Sequence, residues 1–162
     1  MKYDLLKIMD DLGIQYQYVE HEPMTNYEIA KKVDEEYNLE GTESKNLFLK
    51  DKNGTYYVFI TEEGIRFNRA FLKEVTGEKL SITSAEELEE KTGYKVGCAT
   101  NFGYDADVVF IVDAEIFNHE KLICSAGSPT QSMVIHTADL KKIYQTISNH
   151  ILYVQAPREP QL

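Results

Sequence analysis

Leu47-Phe48-Leu49-Lys50-Asp51-Lys52-Asn53-Gly54-Thr55-Tyr56-Tyr57-Val58-Phe59-Ile60 is the stretch from which the fold is read. Two apolar runs, Leu47–Leu49 and Tyr56–Ile60, flank a polar break that contains Asn53-Gly54. Alternation, β-branched and aromatic content, and a turn pair together predict a β-hairpin. Upstream, Tyr3, Leu5, Leu6, Ile8, Met9 and Leu12 fall on near-helical spacing and stop at Gly13, which predicts a helix over 2–12. A strand through Tyr16 and Tyr18 then leads to His21. Thr25 or Asn26 caps a second helix with Ile29, Ala30 and Val33 inward.

Downstream, Arg69 to Val75 reads as a short helix closed by Gly77. Ser84, with Glu87 three residues on, opens another helix that Gly93 closes. Val108–Val112 is a β-branched run between aspartates, expected as a buried strand. Leu122–Cys124 and Met133–Ile135 are two further strands, linked across Gly127, Ser128 and Pro129. Ala138 to Ile147 is an amphipathic helix, and Ile151–Val154 a last strand. Hairpin-like links among interspersed strands and helices argue against a doubly wound parallel sheet. They point to an α/β fold with a mixed-strand, barrel-like sheet surrounded by helices. The 162 residues are enough for one core, so residues 1–156 are expected as a single domain and 157–162 as a loose tail.

Composition narrows the function. The formal net charge of −10 weighs against broad phosphate neutralisation, so DNA is not an expected partner and any nucleic-acid contact should be local. No apolar run is long enough to span a membrane and the first residues do not form a signal peptide, which makes the cytoplasm the expected compartment. Cys98 and Cys124 stand alone, expected as small buried residues. His21, His119, His136 and His150 show no ligand spacing, and neither a metal nor a cofactor is expected.

Three stretches stand out. Ser44-Lys45-Asn46 sets a cation and an amide at the entry to a buried strand; an edge lysine that discourages aggregation would look the same. Residues 92–103 hold three glycines and a small-residue centre. The backbone amides of such a loop can serve as an oxyanion hole, or the loop can be an ordinary turn. Ser125-Ala126-Gly127-Ser128-Pro129-Thr130 can line a tight pocket or simply close a hairpin.

Taken in order, these stretches resemble the YbaK/ProX family of aminoacyl-tRNA editing domains over roughly residues 3–155. His21-Glu22-Pro23, followed by Ile29-Ala30, is similar to the family's entry motif. Lys45-Asn46-Leu47-Phe48-Leu49 is similar to the lysine motif of the ProX branch. Gly97 to Gly103 resembles the GxxxPxG loop, with Asn101 where the family has proline. Ser125-Ala126-Gly127 to Ala138-Asp139-Leu140 resembles the YbaK branch, although Ser128-Pro129 replaces a basic pair.

The resemblance implies a free-standing, metal-independent deacylase that hydrolyses mischarged aminoacyl-tRNA carrying a small amino acid such as Ala or Cys, on tRNA-Pro or a related tRNA. Its partners would be the acceptor end and a synthetase. Lys45, Gly97 and Asn101 would be the catalytic positions, with Lys45 holding a phosphate or the ester and amides around Gly97–Phe102 meeting the oxyanion. His21, Asn46, Cys98, Ala99, Thr100, Phe102, Gly103, Ser125, Ala126, Gly127 and Ser128 would contact substrate. Cys98, Ala99 and Ala126 would limit pocket size. A non-catalytic binding module of the same fold is the alternative.

Overall fold

The computed structural model describes residues 2–158. The expected hairpin is its centre. β2 (Thr42–Lys50) and β3 (Tyr56–Glu62) pair antiparallel without interruption from Ser44↔Glu62 to Lys50↔Tyr56. The turn is tied by Asp51, whose carboxylate accepts from the Asn53 and Thr55 amides and from the Tyr57 hydroxyl. Around it lie β1 (Gln17–Glu20), β4 (Ser81–Ile82), β5 (Val109–Asp113), β6 (Lys121–Ser125), β7 (Gln131–His136) and β8 (Ile151–Val154). They form one mixed sheet ordered β1-β7-β6-β2-β3-β5-β8, with β4 paired to β2 off that path.

Among the described residues, four of the five α-helices start at a side-chain cap. α1 (Leu5–Asp11) begins at Asp4, which accepts the Lys7 amide. α2 (Tyr27–Glu36) is capped by Asn26, α3 (Arg69–Thr76) by Asn68 and α4 (Ala85–Thr92) by Ser84. Gly77 and Gly93 close α3 and α4 in the left-handed conformation that glycine adopts without strain. α5 spans Thr137–Thr146.

Strand alternation divides the core between the two faces of the sheet. On one face Phe48, Val58, Ile60, Phe110, Leu122 and Met133 pack with Leu5 and Met9 of α1, Leu88 of α4, and Leu140, Ile143 and Tyr144 of α5. On the other, Leu49, Tyr57, Phe59 and Ile111 pack with Leu72 of α3. Ile123 and Val134 cover Val33 of α2 on that same side. Helices therefore cover both faces of a mixed sheet.

Two elements escape the sequence reading: β4, and a 3-10 turn over Ala114–Asn118 whose amide at Glu115 is received by Asp113. The tail is also tighter than expected at its start. Arg158 pairs with Asp113 at 2.9 Å and with Glu62 at 3.2 Å, while residues 159–162 lie outside the described residues. Both cysteines are free and buried. Among the described residues no helix is long and apolar enough to cross a membrane.

Candidate active site

The site is built at a fork. β2 and β6 run parallel and pair at Thr42↔Leu122 and Glu43↔Ile123; beyond these two rungs they part. On the same edge of β2, β4 takes up pairing only at Leu49 and Lys50. Between the two contacts, Ser44–Leu47 has no strand neighbour on that edge among the described residues. The loop 95–103 lies against this opening. Lys95 donates its amide to Gly127 O (3.0 Å), the Cys98 thiol hydrogen-bonds with Ser125, and Asn46 reaches Ala99.

Side chains hold the loop to β2. Ser44 Oγ donates to Asn46 Oδ1 (3.2 Å), Asn46 Nδ2 donates to Asn101 Oδ1 (2.9 Å), and Asn101 Nδ2 donates back to Ser44 Oγ (2.9 Å). This closed ring is supplemented by Asn46 Nδ2 to Ala99 O at 3.0 Å and Tyr144 Oη to Asn101 O at 2.8 Å. Asn101 has no exposed surface, and both its side-chain polar atoms are used. A buried polar ring with every member satisfied rigidifies what it joins. Here it fixes the loop to β2. Asn101, expected as a catalytic position, is here a buried member of this ring.

Lys45 lies on the opposite face. Asn46 and Lys45 are sequence neighbours in an unbroken strand, so their side chains diverge. The Lys45 ammonium donates to Ile65 O at 2.7 Å, on the face where Leu47 and Leu49 pack. That face carries an open cleft of about 550 Å³. Its walls are Met24, Tyr27 and Ala30 from and before α2, Glu43 and Glu63 from the hairpin, Val96, Gly97 and Cys98 from the loop, and Pro129. Gly97 has φ +75°, and nothing lies within 4 Å of the position a Cβ would take, so its backbone is open to the cleft.

The expected contact residues separate accordingly. Gly97 and Cys98 line the cleft. Thr100 and Phe102 are buried, and the Thr100 amide already donates to Tyr104 Oη (2.8 Å) while that of Cys98 donates to Lys95 O (2.9 Å). These two amides are spent on loop geometry and cannot meet an oxyanion. Gly97 and Ala99 amides find no acceptor among the described residues. Ala99 itself is buried with its carbonyl bonded to Asn46. Gly103 faces Leu5 and Tyr94, where an added Cβ would come within 2.5 Å of Leu5 Cδ2.

Ala126 is a correction: it alternates with Ser125 and turns to the α1 side, beside Tyr3, Leu6 and Tyr18. Of the three small residues expected to limit the pocket, only Cys98 walls the cleft. Ser125 contacts the loop through Cys98, and Gly127 accepts Lys95; Ser128 bonds Gln131 within its own turn. His21 stands behind the cleft. Its Nδ1 meets Glu22 O (2.7 Å) and its Nε2 meets Ser132 Oγ (2.8 Å). Together with Met24 N donating to Pro129 O (2.8 Å), this ties the α2 approach to the β6–β7 turn.

Sequence reasoning missed Glu43, Glu63, Met24 and Tyr27, while Val96 and Pro129 lie within two of the stretches it singled out. Glu43 carried a signal, because it stands two residues before Lys45 on a strand and so shares its face. Burial, then the hydrogen bond and charge of Asp34, then the charge of Glu63, push the Glu43 carboxyl up to about 9. Among the described residues no three His, Cys, Asp or Glu side chains are grouped to hold a metal ion.

Residues 27–143 match the family described as the aminoacyl-tRNA editing domain. The chain is 31% identical over 134 residues to a mouse (Mus musculus) prolyl-tRNA synthetase associated domain-containing protein 1, covering 75% of this chain and 76% of the relative. It is 26% identical over 154 residues to the prolyl-tRNA editing protein ProX of Acetoanaerobium sticklandii, covering 91% and 93%. A crystal structure of a candidate trans-editing enzyme for prolyl-tRNA synthetase superimposes with a TM-score of 0.74 at 17% identity, covering 94% of this chain and 95% of that one.

Proposed function

The chain belongs to the aminoacyl-tRNA editing domain family, the YbaK/ProX family, and on that premise we propose that it deacylates mischarged aminoacyl-tRNA as a trans-editing hydrolase. The observation that carries this reading is the family match itself, whose span of 27–143 includes every cleft wall from Tyr27 to Pro129. The names of the two relatives support tRNA-Pro as the carrier, with the acceptor end as the contacted part and a synthetase as partner. Gly97, Cys98 and Ala30 keep one wall low, which supports a small amino acid such as Ala or Cys.

The ester linking an amino acid to a ribose is already activated, so positioning and electrostatics can carry its hydrolysis. In the proposed reaction water, or a ribose hydroxyl assisting water, attacks the ester carbon. The Gly97 amide, on the cleft wall and without an acceptor among the described residues, is the loop donor placed to meet the oxyanion. Lys45 leaves the Ile65 carbonyl and turns its ammonium to the ester or the terminal phosphate. No step asks for a metal ion.

The test is deacylation of Ala-, Cys- and Pro-charged tRNA-Pro by the protein, beside Lys45→Ala and beside the protein with a chelator. Rapid, chelator-insensitive hydrolysis of one substrate, lost in Lys45→Ala, is the expected outcome. One observation favours the second reading, a non-catalytic binding module: the Lys45 ammonium is already committed to Ile65 O. Tight binding of charged tRNA without turnover would establish that reading instead.

A further inference from the structure

Lys45 stands at one end of a row that crosses the sheet to a buried carboxylate. The hairpin register sets Lys45 opposite Thr61. The β3–β5 register, which reaches Ile60↔Val112, continues to Thr61 and Asp113, and Thr61 Oγ1 donates to Asp113 Oδ2 at 2.6 Å. Alternation puts all three side chains on the face of Leu49, Phe59 and Ile111. Thr61 and Asp113 have no exposed surface.

Arg158, beyond β8, closes the far end of this row. Its Nη2 lies 2.9 Å from Asp113 Oδ2 and 3.2 Å from Glu62 Oε1, and its Nη1 donates to Ala156 O at 2.9 Å. Glu62 Oε2 meets His119 Nε2 at 2.6 Å. Glu62 is also the root of the turn that receives the lysine: the Ile65 amide donates to Glu62 O at 3.3 Å, and Ile65 O accepts the Lys45 ammonium at 2.7 Å. One guanidinium thus holds a carboxylate on the lysine's own row and a second at the base of the turn on which the lysine rests.

A buried carboxylate that loses its cation is strongly destabilised and draws any other cation within reach. Lys45 carries a point charge on a flexible four-carbon stem. It is two strands from Asp113, roughly 10 Å at the usual strand spacing, with the short Thr61 side chain between them. We propose that Arg158 is a positioning residue for the deacylation: by occupying Asp113 and Glu62 it denies them to Lys45, which therefore rests on a neutral carbonyl. This rests on the deacylase reading above. An ammonium leaves a neutral acceptor more readily than a carboxylate, because hydrogen bonds between two ions are the stronger kind. Arg158 touches no substrate and acts through the place where Lys45 waits.

The experiment measures deacylation of alanyl- and cysteinyl-tRNA-Pro by Arg158→Ala, by Arg158→Lys and by Arg158→Ala combined with Asp113→Asn. The Lys45 Cε–Hε cross-peak, assigned by its absence from Lys45→Ala, is followed beside it. Arg158→Ala is expected to lower kcat roughly tenfold with KM little changed, the scale of one charge-assisted hydrogen bond that Lys45 must now break, and to move the cross-peak. Arg158→Lys, which keeps a cation there, should recover part of the rate. Adding Asp113→Asn removes the competing charge and should restore both kcat and the cross-peak, although the fold gains no contact from it. Arg158→Gln replaces Arg158→Ala throughout should the latter lose its circular dichroism spectrum. An unchanged kcat, a loss carried by KM, or a loss that Asp113→Asn does not repair overturns the assignment of Arg158 and leaves the deacylase reading standing. A folded native protein that hydrolyses neither ester overturns both.

Discussion

The two faces of β2 do different work with adjacent residues. On one face Ser44 and Asn46 are consumed in a closed ring with Asn101, buried beneath α5. On the other face Glu43 walls an open cleft and shares a proton with Asp34, and Lys45, two residues on, holds the Ile65 carbonyl. The first face is closed to solvent and the second carries a cleft. A buried, fully bonded polar ring holds a fold together, whereas polar groups at the rim of a cleft are free to exchange their partners.

The sharpest way to break this comparison is to remove one residue from each face. Lys45→Ala should reduce deacylation by roughly 100-fold or more, the scale of a lost transition-state donor, with little change in melting temperature. Asn101→Ala should do the reverse in kind. It strands Ser44 and Asn46 in a buried site at a cost of about 2 kcal/mol, read as a melting temperature lower by roughly 4–8 °C. Equal melting losses in the two variants would show that the faces are not divided as described.

The loop offers a smaller test along its own length. Gly103→Ala must displace Leu5 or Tyr94 and also strains a φ of +89°, so a loss of about 2 kcal/mol is expected in urea melts. Gly97→Ala meets only the strain of its positive φ, about 1 kcal/mol, but it alters the cleft wall and should slow deacylation more than Gly103→Ala does per unit of stability lost.

The smallest effect is on stability against pH. Glu43 is raised from the usual carboxylate range to about 9 in the fold. The folded state therefore binds a proton that the unfolded chain has released, and stability falls as pH rises from about 5 towards 9. Glu43→Gln should flatten that slope and melt roughly 2–4 °C above the native protein at pH 8.5, the equivalent of about 1 kcal/mol. A Glu43→Gln curve parallel to the native one would remove Glu43 as its source.

Much of the frame was legible because its signals are local. The Asn-Gly turn between apolar runs, the caps at Asn26 and Ser84 and the stops at Gly77 and Gly93 all act within a few residues. β4 was not legible, since two residues have no periodicity. The site was legible only in part for a related reason. Lys45 and Asn46 were read as one motif, yet alternation along a strand sends neighbours to opposite sides. The cleft walls come from five separate segments, and only the parting of β2 from β6 brings them together. That Cys98 and Thr100 spend their amides within the loop depends on partners, Lys95 and Tyr104, that spacing does not identify.

The fork between β2 and β6 has a consequence for how such proteins diversify. The loop beside it is attached by side chains and a few carbonyls, not by ladder pairing. Its sequence can therefore be rewritten without shifting the register of any strand. A lineage can change what its cleft admits while inheriting the frame intact, because Asn101 anchors the loop through three hydrogen bonds and no strand register.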